Sequence, residues 1–259
     1  MKITVITVCF NAEKTIADTL DSVAAQTHPD VEHIVVDGAS TDGTLEVIRA
    51  RGGRVAKVIS EPDAGIFDAM NKGLRAATGD LIGFLHADDV YADPAALARM
   101  AALAEESGAD VLLSDVLMVK GENRETVVRD YSVRDFSLEW FSQGDTPPHP
   151  GFYHKADIIA RFGDYDTDFR YAGDYEFLAR ILRKGGASYA ILRGPPMVRM
   201  LMGGASNSSP LAPFRMLKEV YRGARRNGIA LRPDRVARKY VRKLNQFLGA
   251  ARAQRGAAA

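Results

Sequence analysis

A chain of 259 residues that is 46% hydrophobic and 26% charged has an ordinary globular balance, enough for one large domain or one domain plus appendages. Its one cysteine excludes a disulfide framework, and no window reaches the roughly 18 consecutive apolar residues of a membrane span. The net charge of +1 conceals a split: residues 215–259 hold thirteen Lys or Arg against Glu219 and Asp234, a local excess of +11 that leaves the first 214 residues at −10.

The chain starts with ITVITV (3–8), which reads as a strand; Cys9 directly after it reads as a small buried side chain in a reducing compartment. The apolar run of residues 3–10 is too short for a signal peptide and lacks a small-residue cleavage site, so a cytosolic location is expected. Ile16, Leu20, Val23 and Ala24 then recur at helical spacing, with Asn11 as the expected cap. HIVVD (33–37) and AKVIS (56–60) read as further strands. Phe67, Met70, Leu74 and Ala77 form a second helical stripe that Gly79 is expected to stop, before the strands LIGFL (81–85) and DVLLSDV (110–116). Alternating strands and helices predict an α/β fold: a mostly parallel central sheet with helices on both faces, Rossmann-like, followed by C-terminal amphipathic helices.

Residues 118–150 lose this rhythm and read as irregular or hairpin structure ending in DTPPHPGF. A helix is expected at Lys155–Arg161, then the turn-rich GDYDTDF, then a stronger helix from about Gly173 to Lys184. From Pro210 the pattern is helical again: Val236, Tyr240, Leu244, Phe247 and Leu248 make an apolar stripe flanked by Arg235, Arg238, Lys239, Arg242 and Lys243. A basic tail on an acidic body seeks an anionic surface, phospholipid or nucleic acid.

In open parallel sheets ligands bind beyond the carboxyl ends of the strands, so polar groups directly after apolar runs are the first candidates. Three groups qualify: Phe10 to Glu13, Asp37 in DGASTDGT, and His86-Ala87-Asp88-Asp89. Asp37 either makes a turn or cap or faces a ligand. Asp88 and Asp89 either share a hard divalent cation, Mg²⁺ or Mn²⁺, which takes carboxylate, phosphate and water oxygens, or form a solvated pair opening the helix near Pro94. Neither Gly-x-Gly-x-x-Gly nor a P-loop is present, so a dinucleotide oxidoreductase and a P-loop enzyme lose support; a metal on the aspartate pair, with Lys72, is the remaining way to hold phosphate.

VITVCFNAEKTIADTLDSVAAQTHPDVEHIVVDGASTDGT, followed by SEPDAGIFDAMNKGLRAATGDLIGFLHADD, resembles the nucleotide-sugar-binding half of the family 2 glycosyltransferases, densely over about residues 3–115 and sparsely to about 205. The resemblance implies the GT-A fold of nucleotide-diphospho-sugar transferases. It divides the chain into a nucleotide-sugar-binding half (1–117), an acceptor and catalytic-base half (118–209) and a basic tail (210–259). It further implies that Thr7, Val8 and Phe10 line the base pocket with Glu13 nearby, that Asp37 accepts a hydrogen bond from the base, that Asp88 faces ribose or sugar, and that Asp89 binds the metal.

The family's general base falls at Asp174 in YAGDYEFLARIL. Asp174 and Glu176 are about 200° apart around a helix, so only one faces a cleft. Asp174 shares a side with Phe177, Leu178 and Ile181, whereas Glu176 has the spacing of an exposed ion pair with Arg180. An N-terminal cap after Gly173 is the structural alternative for Asp174. His149 matches a family histidine that touches acceptor or phosphate, or else braces a Pro-rich turn; His154 reads as structural or surface. MGGASNSS (202–209) resembles a glycine-rich loop over the diphosphate, or is a linker. Two departures stand out: His86 replaces the usual Asn, as a ligand or a local hydrogen-bonding group, and no histidine follows His154, so metal affinity is expected to be modest.

The implied activity is metal-dependent inverting transfer from a nucleotide-diphospho-sugar, a UDP-sugar favoured, to a glycan or lipid-linked acceptor in cell-surface polysaccharide or glycolipid assembly. The tail suits peripheral docking on the anionic cytoplasmic face of a membrane. It carries no recognised nucleic-acid docking motif, and nucleic acid is not expected as a partner. A nucleotidyltransferase or a non-catalytic sugar-nucleotide-binding protein are the alternatives; the first expects a Gly-rich basic loop where this chain has CFNAEK.

Overall fold

The computed structural model describes residues 1–121, 123–203, 212–232, 234 and 236. Strand β1 (Ile3–Cys9) is buried at every position, as befits a central strand covered on both faces. Parallel to it run β2 (Val31–Asp37) and β4 (Leu81–Phe84) on its two sides, with β3 (Val55–Ser60) outside β2. Beyond β4 lie β9 (Phe152–Lys155), β6 (Val111–Leu113) and β10 (Tyr189–Ile191), completing the order β10-β6-β9-β4-β1-β2-β3. Only β9 is antiparallel to its neighbours.

Period-two alternation sends the strand residues to two cores. Ile6, Val8, Ile82 and Phe84 pack with Phe67 and Met70 of α3 (Ile66–Ala76) and with Phe177 of α7 (Gly173–Leu178). Ile3, Val5, Leu81 and Leu85 pack with Leu97 and Met100 of α4 (Ala96–Ser107). Helices α1 (Ile16–Ala24) and α2 (Thr44–Arg51) cover the β2 side through Ile16, Leu20 and Ile48. Cys9 is a buried free thiol.

Several elements differ from the expectation. DVLLSDV is two strands, because the chain leaves the main sheet at Ser114 and Asp115. There Ser114 N–H donates to Gly151 O, and the Asp115 carboxylate accepts from Ser132 and Val133 and pairs with Arg134. The continuation, β7 (Val116–Lys120), joins β8 (Thr126–Tyr131), β11 (Val198–Leu201) and β5 (Val90–Tyr91) in a second sheet ordered β5-β11-β7-β8. Asn11 does not cap α1. It takes φ 50° and accepts the Thr41 N–H, while the helix starts five residues later. Two short helical segments are α5 (Glu139–Ser142) and α6 (Asp157–Phe162), the latter replacing Lys155–Arg161 because Lys155 ends β9. Helix α7 continues as a π-helical turn, Ala179–Lys184. Of the tail, α8 (Ala212–Arg226) packs on α7 through Val220, Gly223 and Ala224. The stripe expected over Val236–Leu248 lies outside the described residues except for Val236, as does most of MGGASNSS. No helix among the described residues is long and apolar enough to cross a membrane.

His33 on β2 and His154 on β9 are both sealed in the interior, where burial pushes each down to about 4. Their unfolded counterparts take up a proton near 6.5, so stability is complete above that pH and falls as pH drops from about 6.5 to about 4. Urea unfolding at pH 7 and 5.5 is expected to show a loss of about 1 kcal/mol for each histidine; His33→Gln should flatten its share of that slope.

Candidate functional site

The register sets Cys9 beside Asp37 and Ile6 beside Phe84, so β1, β2 and β4 release their following loops at one edge. Antiparallel β9 begins at that edge too, bringing His149 with it. Residues from distant segments therefore meet there, in two groups.

The first group surrounds Phe10, which is 63% exposed at the end of β1. Thr7 and Val8, expected in the same pocket, lie in the core instead: the Thr7 hydroxyl is 2.9 Å from His33 Nε2, and Val8 packs with Ile34 and Met70. Only Phe10 of the three presents a side chain to the edge. Asp37 is fully buried and realises its turn-forming alternative. Its carboxylate accepts the Ser40 N–H and hydroxyl and the Ser60 hydroxyl at 2.7 Å. Exposed Glu13 accepts the Gly43 N–H, bracing the same loop. Lys72 is committed to Glu61 at 3.0 Å, Asp68 at 3.7 Å and the Pro62 carbonyl; the Glu61 hydrogen bond leads in raising its pKa.

The second group begins with the turn after β4. Asp89 is 1% exposed, and its Oδ1 accepts the Leu201 N–H of β11 at 3.0 Å. Burial first, then the Asp88 charge, hold its carboxyl well above the usual range, against the pull of Leu201 N–H and Arg124. Asp89 thus ties the turn to the second sheet, and half-buried Asp88 is the carboxylate of the pair that meets solvent. Arg124, itself buried and at φ 52°, donates to the Asp88 carbonyl and pairs with Asp18. Among the described residues no cluster of three metal-ligating side chains exists. Asp88, an oxygen donor that meets solvent, fits one ligand of a hard divalent cation that takes its remaining ligands from phosphate and water.

Beside this turn His86 stacks on His149, centroids 5.3 Å apart and planes 18° off parallel. His149 Nε2 is 3.0 Å from the Tyr165 hydroxyl, and burial holds the imidazole well below its usual pKa, hence neutral. The Nδ1 atoms of both histidines are buried without a protein partner. Tyr165 stacks on Phe177 at 4.1 Å and on Phe67 at 5.7 Å. Its backbone is clamped by Asn71 of α3, which donates to Tyr165 O and accepts Tyr165 N–H. Burial and then the charge of Asp174 raise the Tyr165 hydroxyl, which puts that carboxylate in the same neighbourhood.

Asp174 is the second residue of α7, half-exposed, and its Oδ1 accepts the following Tyr175 N–H. Gly173 before it lies against Phe67: a Cβ there would sit 2.6 Å from the ring. Glu176, expected on the surface, is 4% exposed; its pair with Arg180 is real but enclosed, and Asn227 joins it. The turn that leads into α7 is held by Glu219 of α8, whose carboxylate accepts the N–H groups of Arg170, Tyr171 and Ala172, the three residues before the helix, at 2.7–3.1 Å. Sequence reasoning missed Glu219, Asn71, Tyr165 and Arg124. Glu219 had one signal, an acid within a strongly basic stretch. Glu219→Ala removes the acceptor of three amides in the turn before α7, a cost of about 1–3 kcal/mol. The thermal midpoint is expected to fall by several degrees, and Glu219→Gln to recover part of it.

The chain matches the family described as Glycosyl transferase family 2 over residues 4–157. It is 34% identical over 183 residues to an uncharacterized glycosyltransferase of Mycobacterium tuberculosis, covering 69% of this chain and 68% of the relative. To a PGL/p-HBAD biosynthesis glycosyltransferase of the same organism it is 32% identical over 165 residues, 62% of each chain. Among solved structures, S. aureus TarS 1-349 in complex with UDP-GlcNAc superposes with TM-score 0.65 at 21% identity, covering 86% of this chain and 66% of that one. Mannosyltransferase PcManGT from Pyrobaculum calidifontis, in complex with GDP-Man and Mn²⁺, gives 0.63 at 23% identity over 99% and 75%. The fold is thus the GT-A type expected from the sequence.

Proposed function

The chain belongs to glycosyl transferase family 2, and from that premise we propose that it inverts configuration as it moves a sugar from a nucleotide-diphospho-sugar to an acceptor hydroxyl. The observation that carries this reading is the chain of contacts at one sheet edge from a half-exposed carboxylate at the start of α7, Asp174, through Tyr165 and His149 to the His86–Asp89 turn. Asp174 accepts the proton of the acceptor hydroxyl as its oxygen bonds to the anomeric carbon. The bond from that carbon to the diphosphate oxygen breaks, and the electron pair leaves with the nucleoside diphosphate. One displacement inverts the centre; no residue in the sequence is designated as a covalent nucleophile.

Asp88, rather than Asp89, is assigned to the donor's diphosphate side, because Asp89 spends an oxygen on Leu201. A divalent cation bound there, Mg²⁺ or Mn²⁺, would offset charge on the departing diphosphate. The exposed Phe10 ring offers a surface for the base, with the Asp37 loop as its scaffold. His149, neutral and with Nδ1 unpartnered inside the protein, would donate that N–H to phosphate or accept from an acceptor hydroxyl if the pocket opens to it. The complexes of TarS with UDP-GlcNAc and of PcManGT with GDP-Man and Mn²⁺ support the donor class. A relative named for PGL/p-HBAD biosynthesis supports a glycan or lipid-linked acceptor, and the basic balance of residues 215–259 supports an encounter at the anionic cytoplasmic face of a membrane.

Thermal denaturation with UDP-, GDP- and dTDP-sugars, each with and without Mn²⁺, tests the reading. Metal-dependent stabilisation by a UDP-sugar is expected. No shift with any sugar nucleotide overturns it.

A further inference from the structure

Helix α8 has two unlike faces. The inward face is built for packing: Ala212, Val220 and Ala224 are buried, Gly223 lies against Tyr175 and Glu176, and Glu219 holds the turn before α7. The outward face carries Phe214 at 72% exposure, Tyr221 at 47% and Leu217 at 36%, three large apolar side chains left facing water among the described residues. At about 100° per residue, positions 214, 217, 218, 221 and 225 share that side, so Lys218 and Arg225 stand among the apolar groups, with exposed Arg215 on the flank.

We propose that this outward face of α8 docks on an anionic phospholipid surface; the proposal rests on the glycosyltransferase reading only for its purpose. Aromatic and aliphatic side chains interleaved with lysine and arginine match the headgroup–acyl boundary, where the rings enter and the cations meet phosphate. The one acid of the helix, Glu219, is turned inward and leaves the outward side cationic. Long-range charge fixes the orientation. The first 214 residues sum to −10 and are repelled by an anionic leaflet, whereas residues 215–259 carry +11 and are drawn to it. A second copy of the chain is a poorer occupant, because a two-fold contact through this face brings Lys218 and Arg225 against their own counterparts. Since the same helix holds the start of α7 through Glu219, docking sets Asp174 at a fixed height above the surface, where a lipid-linked acceptor presents its hydroxyl.

The test uses the full chain with sedimenting vesicles of phosphatidylcholine alone or mixed with phosphatidylglycerol, at low and high salt. The wild type is expected to pellet with the mixed vesicles only, and less so at high salt. Combined Phe214→Ser, Leu217→Ser and Tyr221→Ser should lower partitioning at least about ten-fold, as should Lys218→Glu with Arg225→Glu. Stabilisation by the sugar nucleotide, unchanged in both variants, shows that they fold. The proposal is overturned if the wild type ignores mixed vesicles, if both variants bind as well as it does, or if the serine variant only dissolves a dimer. Vesicle binding without any sugar-nucleotide response would sink the transferase reading and leave the docking face standing.

Discussion

Asp174→Asn is expected to bind nucleotide-sugar as the wild type does and to transfer sugar roughly 10²–10⁴-fold more slowly, the usual contribution of a general base. The substitution is nearly isosteric. It keeps the Oδ1 acceptor for Tyr175 N–H and leaves the Glu219 bonds to the preceding turn untouched, so α7 stays in place. What it removes is the proton acceptor and a negative charge beside Tyr165. Sugar-nucleotide affinity, read by thermal shift or calorimetry, separates this loss from unfolding. Transfer within a few-fold of the wild type would remove Asp174 as the base and move attention to His149, the neighbour with a buried, unpartnered nitrogen. Glu219→Ala offers a contrast: it also weakens transfer, but through the position of α7, and so lowers the thermal midpoint along with the rate.

The sheet was legible because its strands are short apolar runs whose pattern is local: ITVITV, HIVVD and LIGFL need no partner to be read. Strand β9 was not, since four residues, Phe152–Lys155, owe their strand to β4 and β6 on either side. The site divides the same way. Asp174, His149 and the Asp88-Asp89 pair are visible as residue types at strand and helix ends, and the structure gathers them on one edge. Their surroundings are contacts across long sequence separations, such as Asn71 with Tyr165, Asp89 with Leu201 and Glu219 with Ala172, and no local pattern encodes these. Burial was also misread where position in a strand outweighs chemistry. Thr7 points into the β1–β2 interior toward His33.

The aspartate pair yields the sharpest division of labour. Asp88→Asn is expected to abolish the Mn²⁺-dependent stabilisation by nucleotide-sugar and to lower transfer at least about 100-fold, a loss comparable with removing one major electrostatic group. Asp89→Asn is expected to be milder in that readout, because its amide oxygen still accepts the Leu201 N–H and the buried carboxyl it replaces already resists ionisation. Its cost falls on the joint between the two sheets and is read as a lower thermal midpoint. Exposure separates the two: Asp89, 1% exposed and bonded to β11, has one oxygen fewer to share, whereas Asp88 meets solvent beside the His86–His149 stack. Metal-dependent stabilisation that survives Asp88→Asn and disappears in Asp89→Asn would return the metal to Asp89. It would also require the Leu201 hydrogen bond to open when donor binds, so the second sheet would have to shift with each turnover.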